Sequence, residues 1–475
     1  MMTVPKEAIR RQIITLIPVY MNVFLMGCAD GWLPNAVYFF LVDDEVRTSS
    51  SKFPLITLVF SDLGKIVFAI PAGILVDKYG RKNISLWVAI STFFAWFGLS
   101  LSSSLVALYT ARFVLGLAEA MIYSSSLVSI GEIASPEIRG QLTNIGLIFI
   151  NAGLILPSIV SVIFGSYKSL AWGITFFSIL NLLSMIWAVE TPSYLVSVSK
   201  LKQAKNNLQE IRKGYNVNDI DTEFEKLHKY IDDEKNRRSK LTWVKFIKSK
   251  AIRKPLLIGI LLNVITVFIG SSLIKVYITV IIPSNELVPK KYYPLIIQAL
   301  LLLISFFTTF YVDKFPRRSI FLFGAISVLI INAICALANY IDIENDQYQS
   351  TANVFKWIFI FGNLLNMICY NAAIQPMNTA LKAELYPQTM KGFCGSVTVI
   401  CHAVATIILY QLYDFVKDYL ELSLAYIMFS INSLLLILAV YFFAPEGRGA
   451  SLTDLQMKFK ESQRCCRNDE ENLRK

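Results

Sequence analysis

Asp77-Lys78-Tyr79-Gly80-Arg81-Lys82 separates two long apolar stretches, and Asp313-Lys314-Phe315-Pro316-Arg317-Arg318 separates two others later in the chain. Both segments place an aspartate four residues before an arginine, in a break too short to hold a folded domain. The same short segment at two such places indicates that the chain is built from two related halves.

A second pair of short segments repeats in the same order. Gly131-Glu132-Ile133-Ala134 leads to Arg139-Gly140, and Ala383-Glu384-Leu385-Tyr386-Pro387 leads to Lys391-Gly392. In each half this segment follows the first one after two further apolar blocks. Repeated halves with matched breaks are typical of transporters that work by alternating access.

The apolar blocks around these segments are long enough to cross a bilayer, which takes about 20 residues of helix. Six blocks, a hydrophilic gap and six more blocks follow one another at residues 12–36, 53–75, 84–103, 105–130, 141–164, 169–189, 254–282, 292–312, 319–341, 354–378, 392–415 and 422–444. We therefore predict an all-α membrane protein with twelve transmembrane helices in two six-helix, pseudo-symmetric bundles. The predicted division is 1–189 for the first bundle, 190–253 for a cytosolic linker with short amphipathic helices, 254–444 for the second bundle and 445–475 for a cytosolic tail.

Composition and charge agree with this prediction. Of the 475 residues, 55% are hydrophobic and only 17% are charged, whereas soluble domains are about 25% charged. Much of the net charge of +11 lies at residues 6–11, 200–254 and 448–475. Basic loops of this kind mark the cytoplasmic side of a membrane protein. We therefore expect both termini in the cytoplasm, and the lipid bilayer rather than nucleic acid as a partner.

Nothing in the sequence indicates catalysis. It contains no nucleotide-binding loop and no nucleophile placed beside a base. The seven cysteines show no spacing that suggests a metal site or a disulfide framework. We expect no metal, no cofactor and no enzymatic activity.

The repeated segments resemble those of the sugar porters of the major facilitator superfamily. That family carries an acidic–basic loop after helices 2 and 8, and a Glu with an Arg-Gly pair after helices 4 and 10. Further matching segments are Glu190-Thr191-Pro192-Ser193-Tyr194-Leu195, Pro445-Glu446-Gly447-Arg448-Gly449, and Arg112 with Gly116. Within the first apolar block, the segment Gly27-Cys28-Ala29-Asp30-Gly31-Trp32-Leu33-Pro34 is similar to that of the insect branch, the facilitated trehalose transporters.

The resemblance implies the major facilitator fold. It implies a multi-pass carrier in the cell membrane that acts as a monomer on a small polar solute, and we expect this solute to be a sugar. It also implies a cytosolic gate, in which ion pairs close when the cavity opens outward. The expected gate residues are Asp77, Arg81, Glu132, Arg139, Asp313, Arg317, Glu384 and Lys391. The alternative interpretation is that these charges only set the topology.

The sugar-binding positions of the family are not kept. Its helix 7 glutamines and asparagine are replaced within Thr266–Ser272, its helix 10 tryptophan by Thr379, and its helix 11 Asn-Trp by His402-Ala403. Either the solute is not a hexose or other side chains hold it. Candidate substrate-binding residues are Asp30, Thr266, Ser272, Lys275, Gln298, Asn371, Gln375, Asn378, Thr379 and His402. Each of these could instead be a polar residue satisfied by a neighbouring helix.

Charged residues inside the predicted spans are costly and call for an explanation. We predict that Asp30 and Lys275 face each other across the two halves, as an outer gate or a solute-holding pair. A second hypothesis places Asp62, Lys65, Arg112 and Glu119 in one buried, structural network between helices 2 and 4.

Three functions remain open. The first is facilitated diffusion of a sugar, favoured because proton-coupled members carry an aspartate where this chain has Ala29, with Asp30 turned by about 100°. The second is a proton-coupled symporter, or a carrier of a non-sugar small polar solute, on the same fold. The third, a non-transporting solute sensor, is disfavoured by the short tail after Pro445.

Overall fold

The computed structural model describes residues 5–41, 53–101, 104–135, 137–239, 250–281, 289–311, 316–344, 349–386, 391–419 and 421–443. These residues form helices joined by short turns, without a strand among them. Twelve helical segments in them are long and apolar enough to cross a membrane. The tail from residue 445 onwards lies outside the described residues.

Six helices form the first bundle and are spans 1 to 6. They are α1 Lys6–Leu41, α2 Phe53–Tyr79, α3 Arg81–Leu101, α4 Leu105–Ile133, α5 Arg139–Phe164 and α6 Tyr167–Ser184. In the described part of the linker the chain forms α7 Pro192–Ser197, α8 Leu201–Ile211 and α9 Val217–Ser239. The helices α8 and α9 lie in the stretch where the sequence predicts short amphipathic helices, although α9 has 23 residues.

Eight helices follow the linker. They are α10 Lys250–Phe268, α11 Ser271–Ile281, α12 Tyr293–Tyr311, α13 Arg317–Glu344, α14 Gln349–Cys369, α15 Gln375–Leu385, α16 Lys391–Tyr419 and α17 Leu422–Phe443. Span 7 consists of α10 and α11, and span 10 consists of α14 and α15 joined by a π-helical turn at Tyr370–Ile374. Spans 8, 9, 11 and 12 are α12, α13, α16 and α17.

Span 7 is broken where the sequence predicted one continuous helix. Gly270 adopts φ +88° between α10 and α11, a conformation that favours glycine. A side chain at this position would also collide with the Phe429 ring. The two parts of span 7, α10 and α11, are therefore separated by two residues, Ile269 and Gly270.

Glycines set the close packing of the first bundle. A Cβ at Gly116 would overlap the Ser61 carbonyl oxygen, so α4 and α2 touch backbone to backbone there. Gly153 allows the same approach of α5 to Phe24 of α1. Small residues at such crossings are the usual means by which membrane helices pack closely.

The two bundles meet along two seams. Span 2 packs against span 11, and span 5 packs against span 8, while span 1 contacts α11. Large apolar side chains such as Phe94, Phe323 and Phe442 remain exposed on the outside. An exposed apolar surface of this extent fits a protein surrounded by lipid.

Candidate transport pathway

A compact ion cluster lies between spans 2 and 4. The Lys65 ammonium is 3.1 Å from Asp62 Oδ1 and 2.7 Å from Glu119 Oε2. The carboxylate side chains are 5% and 4% exposed, respectively, so both depend on Lys65 rather than on water. The predicted pairing of these three residues is confirmed. The attraction between the Lys65 ammonium and the two carboxylates offsets part of the free-energy cost of burying these charges.

The fourth predicted member, Arg112, is attached to this cluster from span 4. Its Nη1 donates to the Ala29 carbonyl oxygen at 2.9 Å, and its guanidinium lies 5.3 Å from the centre of the Trp32 ring. It is also close enough to Asp62 and Glu119 for their charges to interact. Arg112 therefore connects the cluster to span 1.

Among the described residues, no ion pair within 4.0 Å joins Asp30 and Lys275. Asp30 lies within electrostatic range of Lys65 and Glu119. That Asp30 and Lys275 face each other as an outer gate or a solute-holding pair therefore stays a prediction.

A different kind of polar group occupies the second bundle, between spans 7, 10 and 11. The amide oxygen of Asn263 accepts hydrogen bonds from Lys382 Nζ at 3.0 Å and from Asn378 Nδ2 at 3.3 Å. Asn263 Nδ2 donates to the Thr398 carbonyl oxygen at 3.3 Å, and Tyr386 shares a 2.6 Å hydrogen bond with the Thr398 hydroxyl. Among the candidate substrate residues, the structure thus brings Asn378 into a network of neighbours.

Lys382 lies on α15 one turn beyond Asn378. Its side chain is half-buried, so the ammonium lies at the edge of this polar group.

His402, on span 11, stands between the two polar groups. It is within electrostatic range of Lys382 in its own half and of Lys65 and Asp30 in the other half. Its Nδ1 is buried and has no hydrogen-bond partner among the described residues. His402 is thus a predicted site residue within electrostatic range of charged groups in both halves.

Gln298 joins the bundles directly. Its Oε1 accepts a hydrogen bond from the Ser158 hydroxyl, and its Nε2 donates to the Gly31 carbonyl oxygen at 3.5 Å. Asn35 Nδ2 completes the group by donating to Ser158 Oγ at 2.8 Å. Gln298 is fully buried, so in this conformation it links the halves and does not face a cavity.

The remaining candidates divide into two classes. Thr266, Asn371 and Thr379 each donate a hydrogen bond to a carbonyl oxygen of their own helix. Ser272 accepts a 3.3 Å bond from Tyr410 at its carbonyl oxygen, and Gln375 is exposed. The structure gathers none of these five around a closed hexose-sized site.

The ion pairs predicted for a cytosolic gate are present in the first half. Arg81 Nη2 is 3.0 Å from Glu132 Oε1 and 3.9 Å from Asp77 Oδ1. Gln12, at the start of α1, bonds to Ser135 beside this gate, so the Gln298 link lies toward the opposite end of span 1. The side chain of Arg139 lies outside what the structure describes.

Glu190 adds a residue to this gate that the gate prediction did not include. Its carboxylate accepts bonds from the backbone N–H groups of Arg81 at 2.9 Å and of Lys82 at 3.2 Å, at the start of α3. A carboxylate at a helix N-terminus is favoured by the helix dipole. Burial raises the pKa of Glu190, and the N–H groups that it accepts from counteract this rise. Its place in the segment 190–195 was the available signal.

The corresponding gate of the second half is only partly within the described residues. Asp313 lies outside them, and the side chains of Glu384 and Lys391 are likewise not described. Arg317 begins α13, as its repeat partner Arg81 begins α3. The repeat is therefore confirmed at the level of helix starts.

Comparison with known proteins decides the family. The model of the family described as "Sugar (and other) transporter" matches residues 19–459. This chain belongs to that family. The transporter is 24% identical over 442 residues to the glucose transporter GlcP of Staphylococcus epidermidis, covering 92% of this chain and 95% of that protein. It is 24% identical over 477 residues to the facilitated trehalose transporter Tret1 of Bombyx mori, covering 98% and 90%.

Solved structures show the same fold. The transporter aligns with the major facilitator superfamily proton:xylose symporter XylE, bound to 6-bromo-6-deoxy-D-glucose, at a TM-score of 0.75 and 16% identity. This alignment covers 94% of the transporter and 99% of that chain. An inward-open structure of the xylose transporter XylE from E. coli gives a TM-score of 0.73 at 15% identity, covering 95% and 99%. The all-α major facilitator fold predicted from sequence is therefore confirmed, and the transporter is not an enzyme.

Sequence reasoning missed the polar group of the second bundle. Asn263, Lys382 and Thr398 come from three different spans and form no local pattern. One available signal was Lys382, a lysine one turn before the end of α15. It was not singled out because it lies close to a predicted cytosolic boundary, where a lysine is unremarkable in a membrane protein.

Proposed function

We propose that the transporter moves a sugar, or a similar polyhydroxylated solute, across the cell membrane by facilitated diffusion. Membership of the sugar (and other) transporter family across residues 19–459 carries this proposal. The names of the similar proteins support the solute class, since one is a glucose and one a trehalose transporter. The divergent hexose-site residues leave the individual solute open to experiment.

Alternating access is the mechanism that we propose. The bundles touch along the seams between spans 2 and 11 and between spans 5 and 8. Opening toward one side requires the Gln298–Ser158 link to break, and opening toward the other requires spans 2 and 11 to separate. The Arg81–Glu132 pair then belongs to the set of contacts that biases this equilibrium.

We prefer facilitated diffusion to proton symport because of the residues at positions 29 and 30 of span 1. Ala29 stands where proton-coupled members carry an aspartate, and its carbonyl oxygen binds Arg112. Asp30, one residue further on, lies within range of the Lys65 ammonium. At the position where proton-coupled members carry the aspartate, the alanine side chain has no group that can take up a proton.

The orientation and assembly state complete the proposal. We propose that both termini and the linker helices lie in the cytoplasm, that the chain divides at residues 189, 253 and 444, and that it acts as a monomer. The basic linker helix α8, with Lys202 and Lys205, supports this orientation. Glycosylation tags inserted in the linker test it: modification of a tag there would reverse the topology.

The function is tested by transport into proteoliposomes that contain the full-length transporter. Labelled trehalose, glucose, fructose and polyols are supplied with and without a pH gradient. We expect equilibration of at least one of them, stimulated by the same solute on the opposite side and indifferent to a protonophore. Accumulation that collapses with a protonophore would establish the symporter instead, and no movement of any polyhydroxylated solute would refute the proposal.

A further inference from the structure

We infer that Lys382, together with His402 and Asn378, forms a binding site for an anionic group on the transported solute. The inference rests on the proposed transport function and narrows its substrate class to a sugar or polyol derivative that carries a carboxylate or a phosphate.

Lys382 is a cation without a counter-ion. Its ammonium has one hydrogen bond, to Asn263 Oδ1 at 3.0 Å, and an ammonium has three donors. No carboxylate lies within 4.0 Å of it among the side chains that the structure describes. Lys65, in the other bundle, has two. Two donors of Lys382 are thus available to a ligand.

Asn263 holds the Lys382 ammonium in place. The amide nitrogen of Asn263 donates to the Thr398 carbonyl oxygen, which points its oxygen toward Lys382 and Asn378. Asn263 and Thr398 are both buried. The position of the ammonium is therefore fixed by two other spans before any solute binds, which lowers the cost of binding.

The site is accessible along span 10. Gln375 and Thr379 are exposed, and Lys382 is half-buried, at successive turns of α15. Lys382 is within electrostatic range of His402, and His402 is within range of Asp30 and Lys65 of the first bundle. A solute that reaches the exposed side chains of α15 can therefore also reach the Lys382 ammonium.

Two further polar atoms at the site have no partner. His402 Nδ1 and Asn378 Oδ1 are buried, and neither forms a hydrogen bond with a described residue. Buried polar atoms without partners are uncommon, and they are costly unless a ligand satisfies them. A solute anchored at Lys382 by its acidic group can present hydroxyl groups to both atoms.

Charge selects an anion rather than a cation. In the first bundle, the three carboxylates outnumber the Lys65 and Arg112 cations by one, so that group does not attract an anion. In the second bundle, no carboxylate among the described side chains lies within 4.0 Å of the Lys382 ammonium, so the anionic group is expected beside Lys382. A carboxylate or phosphate supplies the missing counter-charge through charge-assisted hydrogen bonds, whereas an amine is repelled.

The test compares glucose derivatives of different charge in proteoliposomes with the full-length transporter. The probes are glucose, glucuronate, glucose 6-phosphate and glucosamine. We expect either acidic derivative to be transported with a lower KM than glucose, and glucosamine with a higher KM; the two acidic probes distinguish a carboxylate from a phosphate. Lys382→Met should weaken binding of the acidic probe about tenfold or more, while Lys382→Arg retains most of it because the guanidinium keeps a positive charge and several donors.

Lys168→Met is the matched control, because Lys168 is exposed at the start of α6 and touches neither polar group. This variant should transport all four probes with the same KM values as the wild-type transporter. Should Lys382→Met not insert in the membrane, protection of the wild-type transporter against thermal unfolding by glucuronate, and not by glucosamine, gives the same information. Equal transport of all four probes, or an unchanged KM for the acidic probe in Lys382→Met, would overturn the inference and leave the proposed function intact. Failure of every probe and of every neutral sugar would refute the proposed function itself.

Discussion

The two bundles share a fold but stabilise their polar interiors differently. The first bundle buries an ion cluster, in which Lys65 holds Asp62 and Glu119 together between spans 2 and 4. The second bundle buries neutral amides, such as Asn366, whose Nδ2 donates to Asn332 Oδ1 at 2.7 Å. The comparison shows that a repeated backbone does not require a repeated interior, because any polar group can be buried once its partners are supplied.

The difference has consequences for how each bundle responds to change. Charges lose far more than amides when one partner is removed, because an unpaired buried charge cannot be solvated. Lys382 is the exception in the second bundle: it is a charge held by an amide, Asn263. This mismatch is the reason that a solute group is expected there.

The largest effect is expected from Lys65→Met. It leaves the Asp62 and Glu119 carboxylates buried without a cation and should cost about 3–5 kcal/mol of stability. Thermal unfolding of the purified transporter in detergent measures the loss. Replacing Asp62 by Asn and Glu119 by Gln in the same chain should recover most of the stability. A Lys65→Met transporter as stable as the wild type would show that the cluster carries no structural role.

A smaller loss is expected from Asn366→Leu in the second bundle. The substitution removes the acceptor of the 2.6 Å Ser271 hydrogen bond and the donor to Asn332. Losing neutral hydrogen bonds at a buried site costs about 1–3 kcal/mol. The same unfolding measurement applies. If Asn366→Leu proved more damaging than Lys65→Met, the contrast between the bundles would be wrong.

Arg81→Gln should shift a conformational equilibrium more than it lowers stability. The Arg81–Glu132 pair is partly exposed, and such pairs contribute about 1 kcal/mol. We expect a several-fold increase in the labelling rate of a cysteine placed at Thr15, beside the gate. The exchanged pair, Arg81→Glu with Glu132→Arg, should restore the slow rate. Unchanged labelling in Arg81→Gln would exclude a gating role.

The smallest effect is expected from Lys205→Met in the linker. Its 2.8 Å ion pair with Asp221 has both side chains 42% exposed, so water and salt screen it. The loss should stay below about 1 kcal/mol. This variant is the exposed counterpart of Lys65→Met, and an equal loss from both would mean that burial does not govern the strength of these pairs.

Much of the architecture followed from local pattern. The apolar blocks can be found in the sequence alone, because a bilayer imposes a minimum length of apolar helix. The sequence also contains the repeated breaks at Asp77 and Asp313 and the helical spacing of α8 and α9. The Asp62–Lys65 pair was equally accessible, since residues three apart lie on one helix face. The break at Gly270 was not, because a glycine within an apolar block is common in membrane helices.

By itself, then, the sequence determined the number of spans, their repeat and the pairing of charges along one helix. Only the tertiary structure decided which polar groups from different spans meet: Lys65 with Glu119, and Lys382 with Asn263 rather than with a carboxylate. The physical reason is that helix length and spacing are set along the chain. Contacts between spans depend on rotations and close approaches, such as that of Gly116 to Ser61, which no single segment specifies.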